Sequence, residues 1–330
     1  MVSKGTGLFS SMLAYEWPQS ALDPAGPQAE RISRLWWLML IVCSAVFILV
    51  IASLIYSVAR AHRRNTIADG PDPERRMTRA VSGATIATLV ILFGLLIASV
   101  LTGKAISSQP DKGVLTIEIV GHQWWWDVKY DDPVPARTFK TANEIHIPVG
   151  QVVMLTLTSR DVIHSFWVPN LHGKKDLIPG HLATIWIQAD RPGVFRGQCA
   201  EFCGYQHAHM AINVVADPPD EFAEWVDNQI KPAKQPADPV QARGQQVFLA
   251  SSCVMCHTIR GTQAAATVAP DLTHLASRQS IAAGTLANTR GHLAGWIVDS
   301  QKIKPGNKMP PNNLISDDLQ SLLSYLENLN

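Results

Sequence analysis

The sequence has little charge and no long block of one sign. Only 17% of its 330 residues are charged, and 28 Lys and Arg against 27 Asp and Glu leave a formal net charge of +1. Nucleic-acid binding needs a basic surface that neutralises phosphates. The sequence offers no such surface, so we expect no nucleic-acid partner.

Internal repeats, long low-complexity segments and a signal peptide are also lacking. The first 35 residues contain Lys4, Arg31 and Arg34, but no apolar stretch long enough for the hydrophobic region of a signal peptide. We therefore expect residues 1–35 to be retained as an N-terminal tail.

Residues 36–59 and 80–103 contain no charged side chain. Residues 36–59 would span roughly 36 Å as a helix, enough to cross a bilayer. The sequence thus predicts two transmembrane helices, with buried helices of a soluble protein as the weaker alternative. The loop 60–79 carries six Arg against three acidic residues, which places it in the cytoplasm and both termini on the other side.

Residues 104–230 change to short apolar segments with period-two alternation. Val153, Leu155 and Leu157, for example, alternate with threonines. This pattern is typical of strands with one buried face and predicts an all-β sandwich. A short helix is expected around residues 221–230. Three prolines in residues 231–240 then predict an extended linker.

Residues 241–330 lack any further strand pattern and are predicted to form a small all-α domain. Its last helix is expected to begin with Ser316 as N-cap. One face of that helix is apolar, which requires a packing partner beneath it. The residues of this face are Leu319, Leu322, Leu323 and Leu326.

Soft metal ligands are concentrated in one short loop. Cys199, Cys203, His207 and Met210 lie within it, and His164 follows an earlier predicted strand. A thiolate, imidazoles and a weak thioether are the donors of blue-copper sites, and a second cysteine allows two coppers to be bridged. A Cys199–Cys203 disulfide, a structural zinc and unrelated core residues remain as alternatives.

This loop, Cys-x-Glu-x-Cys-x3-His-x2-Met, resembles the copper motif of cytochrome c oxidase subunit II. The resemblance covers roughly residues 30–225 and implies a cupredoxin-like Greek-key sandwich holding a binuclear copper centre, CuA. The implied copper ligands are His164, Cys199, the backbone carbonyl of Glu201, Cys203, His207 and Met210.

The resemblance also includes the aromatic segment around Trp124, which implies electron entry to copper through Trp124. Trp125 and Trp126 are expected instead in the sandwich core or at the membrane interface. The Glu201 side chain would reach a Mg²⁺ at the interface with the catalytic subunit. One departure concerns the second membrane helix, which lacks the glutamate that many relatives use for proton entry.

Cys253-Val-Met-Cys256-His257 is the attachment motif of a covalent haem c. Both thiols would form thioethers, and His257 would bind the iron. Met309, well downstream, is the best second iron ligand, because an electron carrier favours a soft sulfur there. A zinc site or a redox-active cysteine pair is the alternative. The region is similar to a class I cytochrome c, with a helix contact at Gly244, Phe248 and Tyr325.

Together these features predict an electron-input subunit of a bacterial, proton-pumping respiratory oxidase. An external donor, such as a cytochrome c or a quinol-oxidising complex, would reduce the haem, and copper would pass electrons to catalytic subunit I for oxygen reduction. The predicted membrane helices contain no histidine and cannot hold the oxygen-reducing haem. We expect a protein of the inner membrane, in contact with lipid and other oxidase subunits, with both redox domains on the periplasmic side.

Two other functions compete with this one. The chain could be the electron-input subunit of a copper-containing nitric oxide reductase, because the copper loop would serve either partner. A membrane-tethered copper-delivery protein would also use two cysteines and a distant histidine. Copper delivery predicts a thioredoxin-like α/β fold, whereas the strand pattern predicts a sandwich.

Overall fold

The structure is a computed structural model and describes residues 19–63, 73–108 and 115–330. The chain divides into two compact units. Residues 30–110 form one unit, and the remaining described residues form the other.

The smaller unit consists of two long apolar helices, α1 (Pro27–Arg63) and α2 (Pro73–Ser107). Both are long and apolar enough to cross a membrane, as predicted. Both also extend beyond the uncharged runs 36–59 and 80–103, because the charged flanking residues continue the same helical hydrogen bonding. Large apolar side chains are exposed along both helices, including Phe47 and Phe93. Such surfaces are suited to lipid contact.

The larger unit begins with a sandwich of two five-stranded sheets. The first sheet has the order β3-β2-β1-β5-β8 and the second β4-β10-β9-β6-β7. The first sheet contains β1 (Leu115–His122), β2 (Trp125–Asp131), β3 (Phe139–Ala142), β5 (Val153–Ser159) and β8 (Ala183–Ile187). The second contains β4 (Glu144–Pro148), β6 (His164–Trp167), β7 (Lys175–Leu177), β9 (Gly193–Cys199) and β10 (Ala211–Asp217).

The sandwich core follows the predicted alternation. Val153, Leu155 and Leu157 are fully buried, and Trp126 lies in the same core. The β1–β5 and β4–β10 pairs are parallel, and β9 pairs with both β10 and β6 in antiparallel fashion. This arrangement brings the start of β6 next to the loop that joins β9 to β10. The thioredoxin-like fold required by the copper-delivery hypothesis is not what this domain adopts.

Beyond the sandwich the chain is mainly helical. It contains α3 (Pro219–Gln229), α4 (Pro239–Ala250), α5 (Arg290–Val298), α6 (Ser300–Ile303) and α7 (Ser316–Leu326). Helix α4 begins inside the predicted linker, because Asp238 caps it by accepting a hydrogen bond from the Gln241 amide at 2.8 Å.

Two local predictions for the helical domain were wrong. Ser316 is the first residue of α7, and the N-cap is Ile315, which makes no side-chain capping bond. The domain also contains a two-residue ladder, β11 (Ser280–Ile281) with β12 (Leu286–Ala287), too short to leave a periodic signal in the sequence.

The contact between α4 and α7 holds the helical domain together. Phe248 and Tyr325 are buried there, with ring centroids 6.5 Å apart, and the apolar face of α7 packs beneath them. Gly244 lies at the closest approach. A Cβ at this position would lie 2.0 Å from the Ser321 carbonyl oxygen, so only glycine permits the observed crossing.

We predict that Gly244→Ala destabilises the helical domain, because the added methyl meets backbone that cannot move aside. Overpacking typically costs about 1–3 kcal/mol, and a backbone clash belongs at the upper end of that range. Thermal unfolding and haem content of the purified chain measure the effect. Gly291→Ala in α5 is the matched control, since its Cβ would meet nothing within 4 Å. Equal behaviour of the two variants would contradict the crossing argument.

Candidate metal and haem sites

The sulfur and imidazole side chains converge at one end of the sandwich. Cys199 ends β9, Cys203 lies in the loop, and Met210 immediately precedes β10. His207 begins a 3₁₀ turn in the same loop, and His164 begins the neighbouring strand β6. Because β6 is the neighbour of β9 in the sheet, the His164 side chain lies beside Cys199.

Every predicted donor atom lies within 4 Å of the Cys199 or the Cys203 sulfur. The Cys199 and Cys203 Sγ atoms are 3.7 Å apart. The other donors, measured to the nearer sulfur, are Glu201 O at 3.2 Å, His207 Nδ1 at 3.5 Å, His164 Nδ1 at 3.8 Å and Met210 Sδ at 3.9 Å. Both cysteines are free and buried. Two soft sulfurs, two imidazoles and a thioether suit copper better than zinc, which rarely uses a thioether.

The two thiols cannot easily ionise together without a cation. The contact with the Cys203 thiol lowers the pKa of Cys199. The same contact, together with burial, raises the pKa of Cys203. A bound metal ion deprotonates coordinating thiols. The arrangement is therefore suited to positive charge placed between the sulfurs.

Asp161 is a site residue that the sequence analysis missed. Its Oδ1 lies 2.9 Å from Nε2 of His164, so the ring presents Nδ1 to Cys199. Burial would raise the pKa of Asp161, but hydrogen bonds from His164 and from the Gln123 and Val162 amides lower it to about 2. This carboxylate thus stays ionised at neutral pH and fixes the histidine. A carboxylate three residues before a candidate ligand histidine was the available signal.

The Glu201 side chain lies apart from the sulfur cluster. Its backbone carbonyl faces Cys199, whereas its carboxylate is about half exposed and lies 3.3 Å from Nζ of Lys174. The carboxylate is therefore accessible from outside the domain, as the predicted magnesium role requires.

Trp124 lies directly against the copper loop, the segment between β9 and β10 that contains Cys203. Its Nε1 donates to the Cys203 carbonyl at 2.8 Å, and the Gln123 side chain donates to the same oxygen at 2.8 Å. Trp124 is buried, with 7% of its surface exposed. Of the two tryptophans expected in the core or at the membrane interface, Trp126 is buried in the core, whereas Trp125 is only partly buried. It stacks on His122 with ring centroids 4.5 Å apart.

A cleft in the helical domain holds the candidate haem residues. Cys253 lies in a 3₁₀ turn (Ser252–Met255), and Cys256 and His257 follow it. His257 Nδ1 lies 2.7 Å from the Pro270 carbonyl, so it donates there and leaves Nε2 free for a metal. Burial lowers the pKa of His257, which favours the neutral imidazole.

The cleft fits a large apolar cofactor. Met309 and all three residues of the attachment motif line it, as do Phe248, Leu272, Leu275, Ile281, Leu293, Ile297, Leu322 and Leu326. Met309 is half-buried, and its carbonyl accepts hydrogen bonds from Ser300 and Gln301. Met255, by contrast, is largely exposed. A histidine, a thioether and two thiols around an apolar slot match the requirements of a covalent haem.

The helical domain packs directly on the sandwich, which the sequence did not indicate. The Ala211 amide donates to the Ala283 carbonyl at 2.9 Å, and the Gln206 side chain donates to the Pro305 carbonyl at 2.8 Å. Trp124 and Trp125 of the sandwich form part of the wall of the haem cleft. Trp124 consequently contacts the copper loop and also lines the haem cleft.

Two family models match this chain. Residues 133–217 match the periplasmic domain of cytochrome c oxidase subunit II, and residues 241–330 match cytochrome c. The oxidase domain implies copper, and the cytochrome domain implies haem.

Curated relatives extend the match over nearly the whole chain. Cytochrome c oxidase subunit 2 of Alkalihalophilus pseudofirmus is 36% identical over 94% of this chain and 90% of its own length. The corresponding protein of Bacillus sp. strain PS3 is 31% identical over 78% of each chain.

A solved structure of the periplasmic domain of cytochrome oxidase subunit II from Bradyrhizobium japonicum is 34% identical over 37% of this chain and 96% of that chain, with a TM-score of 0.34. From the extent and identity of the full-length matches, this chain belongs to the cytochrome c oxidase subunit II family and carries a cytochrome c domain after its oxidase domain.

Proposed function

We propose that this chain is the electron-input subunit of a respiratory haem-copper oxidase. It accepts electrons from an external donor at its own haem c, passes them to a binuclear copper centre, and delivers them to the catalytic subunit that reduces oxygen to water. The observation that carries this proposal is the position of Trp124, which lines the haem cleft and donates to the Cys203 carbonyl.

In this proposal Cys199 and Cys203 would hold two copper ions together with His164, His207, Met210 and the Glu201 carbonyl. The support is the donor set itself: two sulfurs 3.7 Å apart with a separate imidazole beside each. The Glu201 carboxylate would bind Mg²⁺ at the contact with the catalytic subunit, for which its exposure leaves access.

The haem would be attached through Cys253 and Cys256, with His257 and Met309 as iron ligands. When bound, the haem and the copper centre each accept and release one electron. The protein positions these groups and excludes water. Pro270 holds the His257 ring in one tautomer, and Asp161 does the same for His164. Trp124 is buried between the haem cleft, which it lines, and the copper loop, to which it donates.

The chain would lie in the bacterial inner membrane with both redox domains on the periplasmic side. The two apolar helices support two membrane spans, and the arginines between them support the orientation. Catalytic subunit I would be the main partner, with membrane lipid around the helices. Since that subunit performs the chemistry, proton pumping and oxygen reduction are properties of the assembled complex.

We predict two copper ions and one covalent haem per purified chain. The electron paramagnetic resonance spectrum of the oxidised protein should show one electron shared equally by two copper nuclei. Cys199→Ser should leave the spectrum of a single copper, because one of the two sulfurs that would hold the copper pair is lost. Cys43→Ser, on the exposed surface of α1, is the control and should retain the shared-electron spectrum. Zinc, or a single copper in the wild-type chain, would refute the binuclear site.

Asp161→Asn should weaken copper retention by about 10–100-fold, the usual effect of losing a partner that orients a ligand histidine. The amide cannot supply the charge that holds the His164 ring. Competition with a copper chelator measures the change. Asp190→Asn, at an exposed loop position, should leave retention unchanged. Equal retention in both variants would remove Asp161 from the site.

Trp124→Phe should slow electron transfer from haem to copper by about tenfold, because the phenyl ring cannot donate to the Cys203 carbonyl. Flash photoreduction of the haem, followed by the copper absorbance, gives the rate. Trp125→Phe tests specificity, since Trp125 lines the same cleft without bonding to the copper loop. A larger effect from Trp125 than from Trp124 would contradict the proposed route.

A further inference from the structure

The segment 304–309 connects the two redox domains at several points. It begins at the C-cap of α6 and ends at the candidate iron ligand Met309. Between these ends, the Pro305 carbonyl accepts from Gln206 of the copper loop at 2.8 Å. Gly306 lies against the Trp124 ring, where a Cβ would be 3.6 Å from the indole. A single short segment therefore contacts the haem cleft, Trp124 and the copper loop.

Lys304 makes the most buried of these contacts. Its side chain is 2% exposed, and Nζ donates to the Trp124 carbonyl at 2.8 Å and to the Ala282 carbonyl at 3.0 Å. Trp124 belongs to the sandwich and Ala282 to the cytochrome domain. One ammonium group thus joins backbone atoms of both domains at the wall of the haem cleft.

Burying this lysine costs free energy. Among the described residues no carboxylate is paired with Nζ, and burial lowers the pKa of Lys304 to about 7. A buried charge without an ionic partner destabilises a fold unless hydrogen bonds compensate. The Trp124 carbonyl, unlike that of Ala282, provides this compensation only when the domains are docked. Lysine at this position is therefore better explained by docking than by stability of the cytochrome domain alone.

We propose that Lys304 is a positioning residue for electron transfer between haem and copper, acting by fixing Trp124 between the two centres. The proposal rests on the proposed function. Lys304 holds the Trp124 backbone from the cytochrome side, and the Trp124 indole donates to the Cys203 carbonyl on the copper side. These two hydrogen bonds hold Trp124 from the cytochrome side and from the copper side.

Lys308, the other lysine of the segment, does not have this role. Its Nζ lies 3.9 Å from Asp161 Oδ2, but its side chain is 71% exposed. Exposed ion pairs of this length contribute little. The docked geometry depends on Lys304 instead. The carbonyls of Trp124 and Ala282 are its acceptors, and both lose a hydrogen bond if the Lys304 amino group is removed.

Lys304→Met tests the proposal in the full-length chain loaded with haem and copper. Methionine keeps most of the length of the unbranched side chain and removes the amino group that donates. We expect the intramolecular rate, measured by flash photoreduction, to fall on the order of tenfold, because Trp124 is no longer held in position between the two centres. The copper resonance spectrum and haem midpoint potential should stay unchanged. Lys302→Met, whose side chain is 85% exposed, is the control and should match the wild type.

A rate in Lys304→Met within about twofold of the control, with both centres intact, would overturn the proposal. Should Lys304→Met fail to load both cofactors, Lys304→Gln decides by the same measurement. It keeps one amide donor group and should also transfer more slowly than Lys302→Met. Loss of haem or copper from both Lys304 variants would assign Lys304 to folding and also overturn the proposal. Absence of the shared-electron spectrum in the wild-type chain would refute the proposed function itself, independently of these variants.

Discussion

Cys203 makes the contacts that connect the candidate copper site to the haem cleft. Its sulfur contacts Cys199, His207 and Met210, and its carbonyl accepts hydrogen bonds from Trp124 and Gln123. The same residue therefore joins the donor cluster to the aromatic side chain that lines the haem cleft. Because buried carbonyls need partners, the loop and Trp124 constrain each other.

Pre-organisation is the common property of the site residues. Asp161 orients His164, and Pro270 orients His257, each through the ring nitrogen that faces away from the expected metal. Such fixed geometry limits rearrangement when an electron arrives or leaves. The sandwich and the helical domain accordingly act as rigid supports, and the ligands lie at strand ends and in the loops that follow them or connect the helices.

The contact between the domains has a different physical character from the two cores. It includes backbone carbonyls and amides joined across the domain boundary, the Gln206 side chain and the buried amino group of Lys304. Polar contacts of this kind specify one docked geometry more than they add stability. Ala233 of the predicted linker is itself buried in the core of the helical domain.

The sequence by itself determined the membrane helices, the strand pattern and both ligand motifs. These depend on local spacing: uncharged runs long enough for a bilayer, alternation at Val153–Ser159, and the attachment motif at Cys253, Cys256 and His257. Asp161, Lys304 and the docking of the two domains were decided only by the tertiary structure. Lys304 is separated from Trp124 by 180 positions along the chain, and nothing in its neighbouring residues indicates that it is buried. Its role follows from which carbonyls the folded chain places around it.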